Sequence, residues 1–169
     1  KKTTEPKSKA YLIAYLLDMM QATFFRQALF AEFELKAHEI AEKETPLTLT
    51  LLKDLYKDLY RQYYGPELFI DDKVGIEWAR VPHFYYNFYV YQYCTGIASA
   101  FKLFERVKKE ENGCQEYLAF LKSGSSQYPL DALKSAGVDL TKKEPIEAFI
   151  RRFEKLMDEL EELTKNQTS

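Results

Sequence analysis

Cysteine, histidine and tryptophan are scarce in this 169-residue chain, which contains two Cys, two His and one Trp. Cys94 and Cys114 do not have the spacing of metal ligands, and two cysteines favour a reducing cytosol over a disulfide framework. No apolar run approaches the roughly 20 residues of a membrane helix, and the N-terminus lacks the hydrophobic region of a signal peptide. The sequence therefore predicts a cytoplasmic protein with no membrane partner.

An excess of charge of one sign is also missing. The 24 basic and 26 acidic residues are interspersed and give a formal net charge of −2. Nucleic-acid binding usually needs a basic patch or stripe, so we expect no nucleic-acid partner. What the chain does have is 13 Tyr and 12 Phe, an amphipathic aromatic surface that suits peptide-like or apolar ligands. Its length fits one domain, or part of one, with a real core.

Apolar residues recur at helical spacing, and no alternating run is long enough for a strand, so we predict an all-α fold. We expect a flexible lead-in over residues 1–10, a helical portion over 11–163 and a tail over 164–169. The predicted helices cover about 11–43, a segment from Thr48 or Thr50 to Gly65-Pro66, 83–109, 114–121, 129–136 and 145–163. Pro82 should fix the first turn of the 83–109 helix, and Gly137 should end the 129–136 helix.

The segment from Arg80 to Tyr93, R-V-P-H-F-Y-Y-N-F-Y-V-Y-Q-Y, carries the strongest functional signal. It combines one of the two histidines with five tyrosines and almost no charge. Tyrosine hydroxyls and an imidazole can donate hydrogen bonds to a peptide carbonyl or to a developing oxyanion. A core helix would more simply use Leu, Ile and Phe, because every buried Tyr hydroxyl needs a partner. The alternative interpretation is an aromatic core helix.

His38 is the second histidine, and it lies one helical turn from both Glu34 and Glu42. A Glu and a His one turn apart can offer metal ligands from a helix. The alternative, which we favour, is a solvated acidic helix face with a surface histidine.

Four further features have simpler explanations than chemistry. Arg26 and Glu32 lie among apolar neighbours and either brace the core, which we favour, or face a cleft. Glu77 and Arg80 should form a local ion pair, and Cys94 should be a small packing residue. The turn Ser123-Gly124-Ser125-Ser126 lacks the strand and lysine of a phosphate-binding loop, and no serine lies in a G-x-S-x-G motif. No self-sufficient active site is visible.

Three segments together resemble one family. They are F-R-Q-A-L-F-A-E-F-E (25–34), G-I-E-W-A-R-V-P-H-F-Y-Y-N-F-Y-V-Y-Q-Y (75–93) and F-L-K-S-G-S-S-Q-Y-P-L-D-A-L-K-S-A-G-V-D (120–139). In this order they are similar to the C-terminal part of oligoendopeptidase F, a family of bacterial zinc peptidases related to thimet oligopeptidase. The resemblance extends from about Tyr11 to Leu163.

The resemblance implies the helical C-terminal part of a two-lobed zincin-type oligopeptidase that hydrolyses short peptides in a deep cleft. The family holds zinc with an H-E-x-x-H helix and a further glutamate, and the glutamate within the motif activates the zinc-bound water. This chain lacks H-E-x-x-H. We therefore expect a C-terminal piece of a longer zinc metalloendopeptidase, with zinc in the full-length enzyme, none bound to this piece, and no activity from the piece alone.

The resemblance also implies site residues. In the family, a histidine and nearby tyrosines bind the substrate backbone and stabilise the tetrahedral intermediate. The histidine corresponds to His83, which we assign to catalysis and substrate binding. Tyr89 and Tyr93 are the catalytic tyrosines, on one side of the predicted helix. Tyr86 is the reserve candidate, assigned with Arg80 to substrate binding.

Two other tyrosines of the segment, Tyr85 and Tyr91, should point elsewhere, into the core or the wall of the site.

Two functions compete with the peptidase interpretation. One is a stand-alone, non-catalytic helical module that binds peptides in an aromatic groove, and the other is a purely structural all-α domain. Because removal of a peptidase lobe would expose apolar helix faces, the isolated piece can also self-associate.

Overall fold

The structure, a computed structural model, describes residues 5–165 and contains only helices, turns and loops in that range. The α-helices are α1 (Pro6–Met20), α2 (Arg26–Glu42), α3 (Leu49–Tyr64), α4 (Tyr91–Lys109), α5 (Gly113–Ser123), α6 (Pro129–Ser135) and α7 (Glu144–Lys165). Two 3₁₀ helices, Asp72–Arg80 and Pro82–Tyr86, lie between α3 and α4. No strand occurs among the described residues, and the all-α prediction is confirmed.

The first helical stretch runs through α1 and α2 without a loop, as the absence of Gly and Pro predicted. A five-residue π segment, Gln21–Phe25, joins the two helices. The stretch begins at Pro6, a favoured residue for a first helical turn, so the second half of the predicted lead-in is helical. Residues 1–4 of the lead-in and 166–169 of the tail lie outside the described range, and residues 164–165 belong to α7.

The helix ends follow local chemistry where the sequence offered a clear signal. The Thr48 hydroxyl accepts a hydrogen bond from Leu51 N–H at 3.2 Å, and this bond caps the start of α3. Gly65 ends α3 with φ of 76°, and Gly137 follows α6 with φ of 80°. These are backbone conformations that side chains disfavour, which explains the choice of glycine at both positions.

The described residues divide into two compact units. The central unit comprises Ala22–Cys94, and the flanking unit comprises the described parts of 1–21 and 95–169. The core of the central unit is built where α2 packs on α3 and where α3 packs on the Asp72–Arg80 helix. Its buried members are Leu29, Phe30, Phe33, Tyr56, Leu59, Val81 and Val90.

The flanking unit has a separate core. Helix α1 packs against α7, and both helices contribute buried apolar side chains, among them Met20, Phe149 and Leu156. A second cluster forms around Leu103, Ala136 and Val138. No helix in residues 5–165 is both long enough and apolar enough to cross a membrane.

Candidate functional site

The aromatic segment of the central unit is not the single helix that the sequence predicted over 83–109. Pro82 does open a helix, but this is a 3₁₀ helix that stops at Tyr86. Asn87 and Phe88 then adopt positive φ angles of 46° and 57°, and α4 starts only at Tyr91. The prediction was wrong because residues with left-handed backbone cannot continue a right-handed helix.

One histidine and three tyrosines that were assigned to the site from the sequence lie together despite this break. The His83 Nε2 atom lies 3.0 Å from the Tyr93 hydroxyl, within hydrogen-bonding distance. The Tyr89 ring is parallel to the His83 ring, with centroids 5.6 Å apart. Tyr93 and Tyr86 meet the Tyr89 ring edge-on, at 5.7 and 6.1 Å. We call this group of His83, Tyr86, Tyr89 and Tyr93 the His–Tyr cluster.

The side chains of the cluster reach solvent, whereas neighbouring residues of the same segment are buried. Val81, which precedes the cluster in the sequence, and Val90, which lies between Tyr89 and Tyr93, are buried in the core of the central unit. Tyr86 and Tyr89 are exposed, and His83 and Tyr93 are half-buried. The segment is therefore anchored at two apolar points, while its polar tips stay accessible to a ligand.

Tyr85 and Tyr91 also face solvent, which contradicts a place in the core and leaves a place in the wall of the site as a prediction. Tyr85 is 83% exposed and Tyr91 is 51% exposed. The prediction placed both on a continuous helix, and the break at Asn87 and Phe88 removes that basis. The second interpretation of the segment, an aromatic core helix, is wrong for the same reason.

The Tyr93 hydroxyl is suited to donating a hydrogen bond. Desolvation, followed by the neighbouring Tyr89, raises the pKa of Tyr93 above its ordinary value of 10. The hydroxyl consequently keeps its proton throughout the neutral range. It can donate to an acceptor such as a carbonyl oxygen or an oxyanion.

Arg80 lies at the edge of a polar network centred on Glu77. Arg80 Nη2 donates to Glu77 Oε1 at 3.0 Å, which confirms the predicted local ion pair. Arg26 donates to the same oxygen, and the Tyr56 hydroxyl donates to Glu77 Oε2 at 2.8 Å. Arg26 thus braces α2 against the Asp72–Arg80 helix, as favoured from the sequence. The Arg80 guanidinium remains largely exposed and available to a ligand.

The electrostatics of Glu77 combine opposing effects. Burial disfavours its charged form, but the hydrogen bonds from Tyr56 and Arg80 and the positive charge of Arg26 outweigh burial. The pKa of Glu77 is consequently lower than its ordinary value of 4.5. On the other side, burial and the hydrogen bond to Glu77 raise the pKa of Tyr56. Glu77 is thus a carboxylate and Tyr56 a neutral phenol at neutral pH.

Glu32 forms a second, smaller brace within the central unit. It pairs with Lys36 one turn later at 2.8 Å, and it accepts a hydrogen bond from the Tyr63 hydroxyl at 3.0 Å. It therefore links α2 to α3, as the favoured interpretation of this residue expected.

The described residues offer no group of three or more His, Cys, Asp or Glu side chains that could hold a metal ion. His38 Nδ1 instead lies 2.8 Å from the Glu34 carbonyl oxygen, one turn earlier on α2. The arrangement of Glu34, His38 and Glu42 is not a metal centre.

The remaining candidates are structural. The Cys94 thiol is buried and donates to the Phe24 carbonyl oxygen at 3.2 Å, and burial raises its pKa to about 11. It is a packing residue, as predicted. In the serine-rich turn, the Ser123 hydroxyl donates to the Phe120 carbonyl oxygen at 2.7 Å, closing the end of α5.

Sequence reasoning considered Glu34 only as a possible metal ligand and missed its contact with the centre of the aromatic segment. Glu34 Oε1 accepts a hydrogen bond from Phe88 N–H at 2.7 Å, across 54 residues of sequence. The only available signal was a carboxylate on the apolar face of α2, in F-A-E-F-E, where a charge needs a specific partner. That partner could not be read from the sequence.

Comparison with known proteins gives consistent relatives. The family model of Peptidase family M3 matches residues 1–152. The oligopeptidase PepF of Bacillus subtilis is 48% identical over 160 residues, which are 94% of this chain and 24% of that protein. An oligoendopeptidase F homolog of Borreliella burgdorferi is 42% identical over 164 residues, covering 96% of this chain and 28% of that protein.

A solved structure agrees with these relatives. The crystal structure of oligoendopeptidase-F from Enterococcus faecium superposes with a TM-score of 0.94 at 43% identity, and the match covers 98% of this chain and 32% of that one. The chain therefore spans about a quarter of the length of the curated relatives that it matches.

Proposed function

Because this chain belongs to peptidase family M3, we propose that it is the substrate-binding and oxyanion-stabilising part of a zinc metalloendopeptidase that hydrolyses short peptides. The observation that carries the proposal is the His–Tyr cluster, in which His83 and Tyr93 lie 3.0 Å apart and Tyr89 stacks on His83. Peptidases of family M3 are generally zinc enzymes, so zinc is the cofactor of the full-length protein.

Each cluster member has a role that its chemistry supports. Tyr93 or Tyr89 donates its hydroxyl proton in a hydrogen bond to the oxyanion that forms as the scissile carbonyl becomes tetrahedral. A preorganised donor of this kind stabilises the transition state by roughly 3–4 kcal/mol. His83 and Tyr86 hold the substrate backbone, and the exposed guanidinium of Arg80 binds a carbonyl or carboxylate of the peptide.

The first test removes single hydroxyls from the full-length peptidase that contains this chain. Tyr93→Phe or Tyr89→Phe should lower kcat for a quenched fluorescent peptide by about 10²-fold or more. Tyr85→Phe is the matched control, because this exposed tyrosine of the same segment lies outside the cluster, and its turnover should be unchanged. Wild-type turnover in both cluster variants would overturn the assignment.

The second test separates substrate binding from metal binding at His83. His83→Ala should weaken catalysis while zinc content, measured by atomic absorption, stays at the wild-type level. This follows from the assignment of His83 to the substrate, since the family's zinc ligands belong to the H-E-x-x-H helix and a further glutamate. Loss of zinc together with activity would make His83 a ligand and would contradict the proposal.

Peptide affinity of the chain by itself tests the non-catalytic alternative. If a full-length form has no hydrolytic activity but the chain binds short peptides measurably in calorimetry, the peptide-binding module becomes the leading function.

The exposed side chains of Tyr11, Leu12 and Tyr15 on α1 also support self-association of the isolated chain. Light scattering that gives a clean monomer would count against that part.

A further inference from the structure

The turn at Asn87 and Phe88 has an uncommon backbone. Both residues have left-handed φ angles, 46° and 57°, and neither is glycine. Asparagine tolerates this region because its short side chain can bond locally, but a bulky phenylalanine rarely adopts it. Two such residues in succession persist only where the surrounding structure holds them.

Glu34 holds the backbone of this turn. The residue is only 3% exposed, and its Oε1 atom accepts a hydrogen bond from the Phe88 N–H at 2.7 Å. A carboxylate bound by an N–H group forms a short, charge-assisted hydrogen bond, stronger than one between neutral groups. The contact joins α2 directly to the middle of the aromatic segment.

His38 packs against the Phe88 side chain of the same turn. Its ring lies 4.5 Å from the Phe88 ring, and its Nδ1 atom contacts the Glu34 carbonyl oxygen at 2.8 Å. Glu34 and His38 are one turn apart on α2 and therefore reach the same point. Glu34 and His38, which the sequence offered as possible metal ligands, instead contact Phe88: Glu34 binds its backbone N–H and His38 packs against its ring.

The burial of Glu34 is unfavourable for the stability of the fold. The second carboxylate oxygen of Glu34, Oε2, is buried and has no hydrogen-bond partner in the part of the chain that the structure describes. A buried, incompletely paired carboxylate costs free energy that an apolar residue would not. Such a residue is expected where a particular local shape matters more than the stability of the core.

We propose that Glu34 is a positioning residue for the His–Tyr cluster, supported by His38. Tyr89 follows Phe88 directly, and the left-handed turn brings it back over His83, so that the two rings are parallel within 7°. Without the Glu34 contact, the turn relaxes toward negative φ and Tyr89 leaves the His83 ring. The catalytic consequence of this role rests on the proposed function, whereas the structural consequence does not.

Amide hydrogen exchange in the 169-residue chain tests the structural part. Glu34→Ala should accelerate exchange of the Phe88 amide by about tenfold or more, because the charge-assisted bond is lost. It should also shift the ring resonances of His83 and Tyr89. Glu34→Gln keeps an acceptor oxygen and should retain most of the protection. Glu42→Ala, on the exposed end of α2, is the matched control and should change neither signal. Unchanged Phe88 exchange in Glu34→Ala would overturn the proposal.

Steady-state kinetics in the full-length peptidase test the catalytic part. Glu34→Ala should lower kcat about tenfold with a smaller change in KM, and Glu34→Gln should recover most of kcat. Asn87→Gly, placed in the Glu34→Ala background, lowers the backbone cost of the turn and should restore part of kcat. A merely structural role would lower thermal stability and leave kcat of the folded enzyme unchanged, which would refute the positioning role.

The two parts also separate this proposal from the proposed function. If the full-length protein shows no peptidase activity but Phe88 loses protection in Glu34→Ala, the proposed function fails while Glu34 still shapes the cluster. If Glu34→Ala does not fold, the Glu34→Gln variant decides. Loss of Phe88 protection in Glu34→Gln at wild-type kcat would refute positioning.

Discussion

Glu34 in the central unit and Arg106 in the flanking unit both join segments that are distant in sequence, but the two anchors differ in how many of their polar atoms have hydrogen-bond partners. In the flanking unit, Arg106 on α4 donates to the Ala136 carbonyl after α6 and pairs with Glu110 and Glu116 at 2.7 and 2.5 Å. In the central unit, Glu34 has one bonded oxygen and one buried oxygen without a partner in the described range.

The difference separates two uses of a charge. Arg106 fills several acceptors, including a carbonyl of the buried Ala136, so its main contribution is stability. Glu34 leaves a polar atom unpaired and holds a left-handed turn beside exposed tyrosines, so its main contribution is shape. Variants of the flanking anchor should therefore change unfolding, whereas variants of the central anchor should change the His–Tyr cluster.

The largest expected effect comes from Gly137, beside the Arg106 guanidinium. Its φ of 80° disfavours any side chain, and a Cβ there would collide with Arg106. Gly137→Ala should lower the free energy of unfolding by about 3 kcal/mol, of which roughly 1–2 kcal/mol is the left-handed backbone cost. Urea denaturation followed by circular dichroism measures this. In an Arg106→Ala background the penalty should shrink, and full additivity would show that the two residues do not interact.

Loss of the flanking anchor itself should cost slightly less. Arg106→Ala leaves the Ala136 carbonyl without its donor, and we expect a loss of about 2 kcal/mol of unfolding free energy. Arg151→Ala is the control. Arg151 is exposed, and its ion pair with Glu147, one helical turn away, is long at 3.8 Å and should contribute little to stability. Phe88 amide exchange should stay at the wild-type rate in both variants. Accelerated exchange in Arg106→Ala would break the proposed division between the two anchors.

Acid should weaken the central unit through Glu77. The pKa of this carboxyl is lower in the folded state than its ordinary 4.5, so the folded state binds fewer protons than the unfolded state. The stabilisation is complete above about pH 5 and is lost as the pH falls through the lowered pKa. Glu77→Gln should cost about 1 kcal/mol at pH 7 and flatten this acid dependence.

Fluorescence of Trp78 offers a local measurement of this effect. It is the only tryptophan of the chain, and it stacks on Phe33 with ring centroids 6.0 Å apart in the central unit. The urea midpoint followed by this fluorescence should fall as the pH drops below about 5 in the wild type and should change less in Glu77→Gln. An equally steep fall in both proteins would remove Glu77 as the cause.

The smallest effect, one of reactivity without a change in stability, distinguishes the two cysteines. Cys114 in the flanking unit is exposed, whereas Cys94 in the central unit is buried, and burial raises its pKa to about 11. Because the thiolate is the reactive form, iodoacetamide should modify Cys114 in the native chain and Cys94 only in denaturant. Mass spectrometry after tryptic digestion reads both sites, and rapid native labelling of Cys94 would show that this part of the central unit opens.

Local signals predicted most of the helices because those signals act over a few residues. The Thr48 cap, Gly65, Gly137 and Pro145 all lie at or next to helix ends, as predicted. The ends of α5 and α6 lie within about two residues of the predicted ones. The role of the aromatic segment in the site stays a prediction. The conformation of that segment was predicted wrongly, since neither Asn87 nor Phe88 is a glycine that would indicate a left-handed turn.

The sequence by itself determined the all-α class, the positions of the caps and the family, because helical periodicity and stop residues are local and the motifs are contiguous. Only the tertiary structure decided that the predicted 83–109 helix breaks, that His83 meets Tyr93, and that Arg26 and Tyr56 converge on Glu77. Each of these depends on a contact whose members are 10 to 54 residues apart. The contacts at Glu34 and Glu77 form because the folded chain makes each carboxylate the best available partner for a distant donor, and no local pattern contains that choice.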